Sequence, residues 1–136
     1  MGGPLDDTTI LSIDFNASKT FALSGFTKCN DLKGGNSIYT SFIPLVMLYY
    51  FDSSDIITRG WGFTLGLSQY KASSVSLNRY GLNVVALIER NSYPTYIFFF
   101  RSDATKWNLQ KVMSHIIETT TYQRPILVGA NPSKNQ

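Results

Sequence analysis

Residues 38–51 constrain the fold of this chain more than any other segment. They form one run of aromatic, aliphatic and β-branched side chains, IYTSFIPLVMLYYF, with almost no polar interruption. Runs of this kind are typical of β-strands whose two faces are both covered by other parts of the protein. Pro44 lacks a backbone N–H, so it predicts either two short strands around it or one bent strand.

A second segment, residues 60–69, has the clearest two-residue period of the chain. Its bulky side chains are predicted to face the core from a half-buried strand, and they are Trp61, Phe63, Leu65 and Leu67. The opposite face is small and uncharged, and it consists of Gly60, Gly62, Thr64, Gly66 and Ser68. Because a flat face of this kind either lies in solvent or contacts a neighbouring subunit, these five residues are candidate oligomer contacts.

The remaining apolar segments also favour strands. Residues 84–89 and 95–101 flank the sequence RNSYP and give the strongest hairpin signal, with both arms apolar on both faces. Further strands are predicted at residues 8–14, 20–26, 74–79 and 126–128. Together these segments predict a mainly β protein, an antiparallel β-sandwich or jelly-roll-like fold.

Residues 104–117 leave both helix and strand open. Their apolar positions recur near helical spacing after Ser102 or Asp103 as a cap, which favours one C-terminal amphipathic helix. A strand is the alternative, because Val112, Ser114 and Ile116 alternate and the β-branched residues that follow disfavour a helix. The helix is the preferred interpretation.

The chain is expected to form a single domain over residues 1–136, since this length suffices for one core. Residues 1–7 and 131–136 are polar and predict terminal arms or tails. The N-terminus has no basic stretch followed by an apolar one, and the longest apolar run, residues 42–51, is too short to span a bilayer as a helix. These features predict a soluble protein without a signal peptide or membrane insertion.

Charge and cysteine content narrow the range of partners. The 12 Lys and Arg residues outnumber the 9 Asp and Glu residues, but the basic residues are scattered singly along the chain. Proteins that bind nucleic acid gather positive charge into a patch or stripe, so no nucleic-acid partner is expected. The one cysteine, Cys29, excludes a disulfide within the chain.

Side chains that carry out enzyme chemistry are scarce. His115 is the one histidine, and it lies one position off the apolar stripe of the predicted helix, which is typical of a boundary residue more than of a catalytic base. Asp52 and Asp55 in FDSSD offer oxygens to a calcium ion, but two carboxylates three residues apart are more typical of a turn. The sequence therefore predicts a non-enzymatic protein with no catalytic residues, no cofactor and no metal site.

Tyrosines beside amide and hydroxyl side chains are the remaining functional signal. Tyr93 follows Asn91 and Ser92 in the predicted hairpin loop, and Tyr70 lies between Gln69 and Lys71. An aromatic ring can stack on a sugar while neighbouring polar groups bind its hydroxyls. Tyr70, Asn91, Ser92 and Tyr93 are candidate ligand-binding residues, with packing or strand pairing as the alternative role for each tyrosine.

The stretch TRGWGFTLGLSQY, the glycine in RYGLN and the strand pair ending TYIFFFRSDATKWNLQKV resemble the terminal β-sandwich domains of bacteriophage tail-fibre and head-fibre proteins, over residues 56–115. The resemblance implies a virion or extracellular protein for host attachment or decoration. It further implies a homo-oligomer, with a homotrimer favoured, that binds a cell-surface receptor or carbohydrate.

A run of antiparallel strands followed by an amphipathic helix with an inward Trp107 also resembles the pleckstrin-homology family. That resemblance implies a β-barrel adaptor that binds a phosphoinositide or a peptide. The loop that corresponds to the family's lipid-binding loop, KCNDLKGGN, offers Lys28 and Lys33 as its basic residues. Attachment is the preferred function, and the adaptor is the alternative.

Overall fold

The computed structural model describes residues 8–29, 38–79, 83–103 and 109–117, whose regular structure is entirely β. The described residues contain eight strands: β1 (Thr8–Phe15), β2 (Thr20–Cys29), β3 (Ile38–Phe51), β4 (Ile57–Thr64), β5 (Lys71–Leu77), β6 (Asn83–Glu89), β7 (Thr95–Ser102) and β8 (Leu109–Ile117). Within β1 to β4 and within β5 to β8, each strand pairs with its neighbour in sequence and every pairing is antiparallel, whereas β4 and β5 do not pair. They form two four-stranded sheets, which we call sheet 1 (β1 to β4) and sheet 2 (β5 to β8).

One hydrophobic core lies between the two sheets. Sheet 1 contributes alternate residues of β2, β3 and β4, and sheet 2 contributes the facing residues of its first three strands. The buried members are Ala22, Val46, Leu48, Trp61, Tyr70, Ala72, Val75, Leu77, Val84, Ala86, Ile88, Phe98 and Phe100. This arrangement confirms the mainly β, sandwich-like fold that the sequence predicts.

The outer face of sheet 1 is apolar as well. Phe21, Leu23, Leu45 and Met47 form a second buried cluster, so β3 is buried on both faces along its centre, as the run over residues 38–51 predicts. That run is a single strand which continues through Pro44. Pro44 pairs with Phe26 of β2 but lies just outside the β3–β4 ladder, which begins at Leu45, so its missing N–H interrupts no bond to β4.

The bulky face of β4 packs into the core between the sheets, which confirms that part of the prediction. Trp61 is buried and stacks on Phe100 of β7 with ring centroids 5.2 Å apart. Its indole Nε1 donates a 2.7 Å hydrogen bond to the Ser102 hydroxyl, which satisfies a polar group that would otherwise be buried alone. Phe63, Leu65 and Leu67 pack against the same core.

The predicted helix over residues 104–117 is wrong where the structure describes it, because Leu109–Ile117 is strand β8. Val112, Ser114 and Ile116 alternate along β8 and pair with Phe100, Phe98 and Tyr96 of β7. The free edge of β7 offers a full row of backbone bonds, and β-branched residues suit that extended pairing better than a helix. Residues 104–108, the predicted strand at residues 126–128 and the predicted arms at residues 1–7 and 131–136 lie outside the described residues.

Side chains of β1 close one side of the sandwich. The backbone N–H of Leu77 in β5 donates to the Asp14 carboxylate at 2.7 Å, and the N–H of Val75 donates to the Ser12 hydroxyl at 3.4 Å. These donors lie on the edge of β5 that faces away from β6. Two polar side chains of β1 therefore bind backbone groups that no strand pairs, and they join the edges of the two sheets.

The turns gather at the two ends of the sandwich. At one end the Asn16 side chain donates to the Asn78 carbonyl, which joins the β1–β2 turn to the end of β5. At the other end the Arg90 guanidinium donates to the Ser68 carbonyl, which joins the β6–β7 loop to the β4–β5 loop. The second end holds three of the candidate ligand-binding residues in an exposed position.

Candidate functional site

Two loops form a continuous polar surface at one end of the sandwich. We call it the Tyr93 surface and define it by its exposed residues, which are Gly66, Ser68, Gln69, Asn91, Ser92 and Tyr93. The β4–β5 loop supplies the first three and the β6–β7 hairpin loop supplies the others. The 3.3 Å hydrogen bond from Arg90 Nη1 to the Ser68 carbonyl links the two loops.

The hairpin loop has a defined backbone. The N–H of Tyr93 donates to the Arg90 carbonyl at 3.1 Å and closes a four-residue turn. Ser92 has a φ of 65°, in the left-handed region that L residues adopt infrequently. The turn connects β6 to β7 and leaves Asn91, Ser92 and Tyr93 exposed at its tip.

Tyr93 is the most prominent side chain of the surface. The residue is half exposed, at 50%, and the Arg90 guanidinium lies 3.9 Å from the centroid of its ring. Tyr70 meets the same ring at 64° with centroids 6.4 Å apart. A cation–π contact and an edge-on ring contact thus hold Tyr93 while part of its ring remains open to solvent.

Tyr70 is buried, so it supports the Tyr93 ring and is not placed to contact a ligand itself. It is 6% exposed, packs against the Tyr96 ring at 5.7 Å and belongs to the core between the sheets. Burial raises the pKa of the Tyr70 hydroxyl above its ordinary value of 10.0, and the nearby Tyr96, with which it shares a hydrogen bond, raises it further. Tyr70 therefore acts as the packed base on which Tyr93 rests.

The β4–β5 loop is fixed to the body of the protein beside this base. The N–H of Gln69 donates to the Phe42 carbonyl of β3 at 2.8 Å, and the N–H of Tyr70 donates to the Leu67 carbonyl at 3.2 Å. Gln69 has a φ of 63°, so this loop also contains a left-handed residue. Both loops of the Tyr93 surface are held by backbone bonds at defined positions.

The structure divides the five candidate oligomer contacts between two places. Gly60, Gly62 and Thr64 lie on β4, where a register shift leaves Gly60 opposite no residue of β3, and Thr64 is 4% exposed. Gly66 and Ser68 lie beyond the strand, in the loop of the Tyr93 surface. A Cβ atom added at Gly66 would meet nothing within 4 Å, so the fold itself does not require glycine there.

Sequence reasoning missed Arg90 and Tyr96, although both belong to this site. Arg90 is the first residue of the RNSYP loop. The pattern that could have identified it is a basic residue three positions before an aromatic residue in a loop. Tyr96 lies inside the apolar run of β7 and carries no sequence signal that separates it from its neighbours. Only the three-dimensional structure shows that its ring meets Tyr70, which lies in the loop before β5.

The other chemistry-bearing residues hold local structure. The Asp52 carboxylate accepts the N–H groups of Ser54 and Ile56, and Asp55 pairs with Lys19 at 2.9 Å. This is the turn that the spacing in FDSSD favours. His115 is exposed on β8 beside Phe99. Over residues 8–29, 38–79, 83–103 and 109–117, no group of three or more His, Cys, Asp or Glu residues is placed to hold a metal ion.

The arrangement at the Tyr93 surface suits recognition. It offers a fixed aromatic ring, a neighbouring guanidinium and exposed amide and hydroxyl groups, which together can stack on and hydrogen-bond a polar ligand. In the part of the chain that the structure describes, no helix is long and apolar enough to cross a membrane. Comparisons of the chain with protein-family models, with curated proteins and with solved structures find no match.

Proposed function

We propose that this protein is a non-enzymatic attachment or decoration protein of a virion or an extracellular surface, which binds a cell-surface glycan through the Tyr93 surface and acts as a homo-oligomer. The observation that carries the proposal is the half-exposed Tyr93 ring, held by Arg90 and Tyr70 among exposed amide and hydroxyl side chains. This combination matches the chemistry of a sugar, which has apolar C–H faces and many hydroxyls.

Preorganisation supports this function. Binding is weakened when loops and side chains must be ordered on contact with the ligand. Here the backbone bonds at Tyr93 and Gln69 fix both loops, and Arg90 bridges them before any ligand arrives. The site is therefore a rigid platform on the end of a sandwich, and rigid scaffolds with functional loops are a common design for recognition.

The adaptor alternative has less support. Its resemblance depended on a helix after the strands, and Leu109–Ile117 is a strand that completes sheet 2. Of the loop KCNDLKGGN, the structure describes Lys28, which is exposed, and residues 30–36 lie outside the described residues. We therefore carry glycan attachment forward as the proposed function.

A glycan array tests the proposal, with wild type compared with Tyr93→Ala. We expect wild type to bind a defined subset of glycans and Tyr93→Ala to bind them at least about tenfold more weakly, which corresponds to about 1.4 kcal/mol. Phe99→Ala is the matched control, because Phe99 is 41% exposed on the outer face of sheet 2. The proposal fails if wild type binds no glycan, or if both variants bind like wild type.

A further inference from the structure

Three of the four sheet edges in the described structure have features that oppose pairing with another chain. The edges of β1 and β5 face each other, and Asp14 and Ser12 bind the outward N–H groups of β5. The edge strand β4 carries the exposed Arg59 and a register shift at Gly60. Bulges, charges and covering side chains are the usual protection of sheet edges.

The fourth edge, β8, has little of this protection. Seven of its nine residues are exposed, and among the described residues it has a paired strand on one side only. Its pairing with β7 shifts register at Gln110, close to its start, and then runs without interruption from Lys111 to Ile117. Lys111 is its one formally charged residue. No strand among the described residues pairs with the outer edge of β8, so in that part of the chain its row of backbone donors and acceptors is available to another strand.

The side chains of β8 add apolar surface on both faces. Val112 is 37% exposed and Ile116 is 58% exposed on the face that points toward sheet 1. On the opposite face Met113 is 48% exposed and pairs directly with Phe99 of β7, which is itself exposed. An edge with apolar side chains on both faces and an open backbone fits another β-strand better than a ligand of any other shape.

A second copy of β8 is a self-complementary partner for this edge. Antiparallel pairing about a two-fold axis at Ser114 places Val112 opposite the partner's Ile116, and Ile116 opposite the partner's Val112. It also places Lys111 opposite the partner's Ile117, so the two lysines do not face each other. The same two-fold axis makes the contact close after two copies.

We propose that β8 pairs with β8 of a second copy, so that sheet 2 continues across a symmetric dimer as one eight-stranded antiparallel sheet. This names the partner and the contact of the homo-oligomer in the proposed function and rests on that part of it. The contact differs from the three-copy assembly that the tail-fibre resemblance implies, and it does not use Gly60, Gly62 or Thr64. Because the paired strands are antiparallel, the two Tyr93 surfaces lie at opposite ends of the dimer.

Solution mass by light scattering behind a sizing column tests this contact. We expect wild type at twice the chain mass of 15.2 kDa, and the double variant Val112→Lys/Ile116→Lys at the single mass, because its lysines face each other across the axis. Val112→Glu/Ile116→Glu is expected to be monomeric alone and to restore the doubled mass when mixed with the lysine variant. Recovery of the dimer in the mixture shows that both variants are folded.

Ile57→Lys is the matched control, since Ile57 is 55% exposed on the edge strand β4, and its mass should stay at that of the wild type. A wild type with the mass of one chain or of three chains overturns the β8 contact, as does a lysine double variant that stays dimeric. Glycan binding by a monomeric wild type overturns this contact alone and leaves the proposed ligand in place. A dimeric wild type that binds no glycan overturns the proposed ligand and leaves the β8 contact in place.

Discussion

Tyr70 and Tyr93 have the same side chain and different roles, and burial is what separates them. Both follow polar residues in sequence, so sequence reasoning gave them one role as ligand-binding residues. In the structure Tyr93 is half exposed, whereas Tyr70 is 6% exposed and packs against Tyr96. The residues next to Tyr93 were sufficient to predict its loop. The burial of Tyr70, in contrast, depends on β7, which is distant from it in sequence.

The buried hydroxyl of Tyr70 predicts a loss of stability in alkaline solution. Burial and Tyr96 raise its pKa above 10.0, so between that value and the raised one the folded state binds more protons than the unfolded state. The free energy of unfolding should therefore fall as the pH rises above about 10. Urea unfolding across this range measures it, and Tyr70→Phe should show a shallower fall, with the remainder from Tyr49, whose pKa burial also raises. An identical slope in both proteins contradicts this assignment.

Two glycines form a matched pair for stability. A Cβ atom at Gly25 would overlap the Thr9 carbonyl in β1, whereas one at Gly66 would meet nothing within 4 Å. Gly25→Ala should therefore lower the free energy of unfolding by about 2 kcal/mol or more, because β1 must move. Gly66→Ala should change it by less than about 0.5 kcal/mol. Denaturant unfolding of the two variants measures both values, and equal effects would contradict the close approach of β1 at Gly25.

At the scale of elements, the spacing of apolar residues predicted two kinds of strand: those with one apolar and one polar face, and those with two apolar faces. The apolar run over residues 38–51 is one strand that is buried on both faces at its centre. The alternation over residues 60–69 is a strand only as far as Thr64, and Leu65 and Leu67 pack against the core from the loop that follows. The same reasoning failed at β8, where apolar residues fit both periods and the deciding factor was the open edge of β7. An element whose apolar residues fit both the helical and the strand period cannot be assigned from its own sequence alone.

The joint between β1 and β5 can be tested at Asp14. Asp14→Ala removes the acceptor for the Leu77 N–H, so we expect a loss of about 1–3 kcal/mol in the free energy of unfolding. Asp14→Asn keeps an acceptor oxygen and should retain most of that stability. Thermal or urea unfolding of the two variants distinguishes them. An alanine variant as stable as wild type would mean that water replaces the carboxylate at no cost.

At the scale of the whole molecule, the sandwich and its hairpins were predictable, whereas the candidate surface was predictable only in its hairpin loop. The Tyr93 surface joins Ser68 and Gln69 to a loop more than twenty residues later, and the contact that links them is a hydrogen bond from Arg90 to a backbone carbonyl. Sequence reasoning assigned Gly66 and Ser68 to an oligomer contact and Tyr93 to a ligand site. The fold places them side by side because two antiparallel sheets bring alternate loops to the same end.

The central claim is that this end of the sandwich, and no other, binds a glycan. Amide chemical shifts in an NMR titration with the strongest binder from the glycan array test it most directly. We predict shifts at residues 66–69 and 90–93 and unchanged amides at the opposite end, in the turns at residues 16–19 and 52–56. Shifts at those opposite turns, or over β8 in place of the loops, would contradict it.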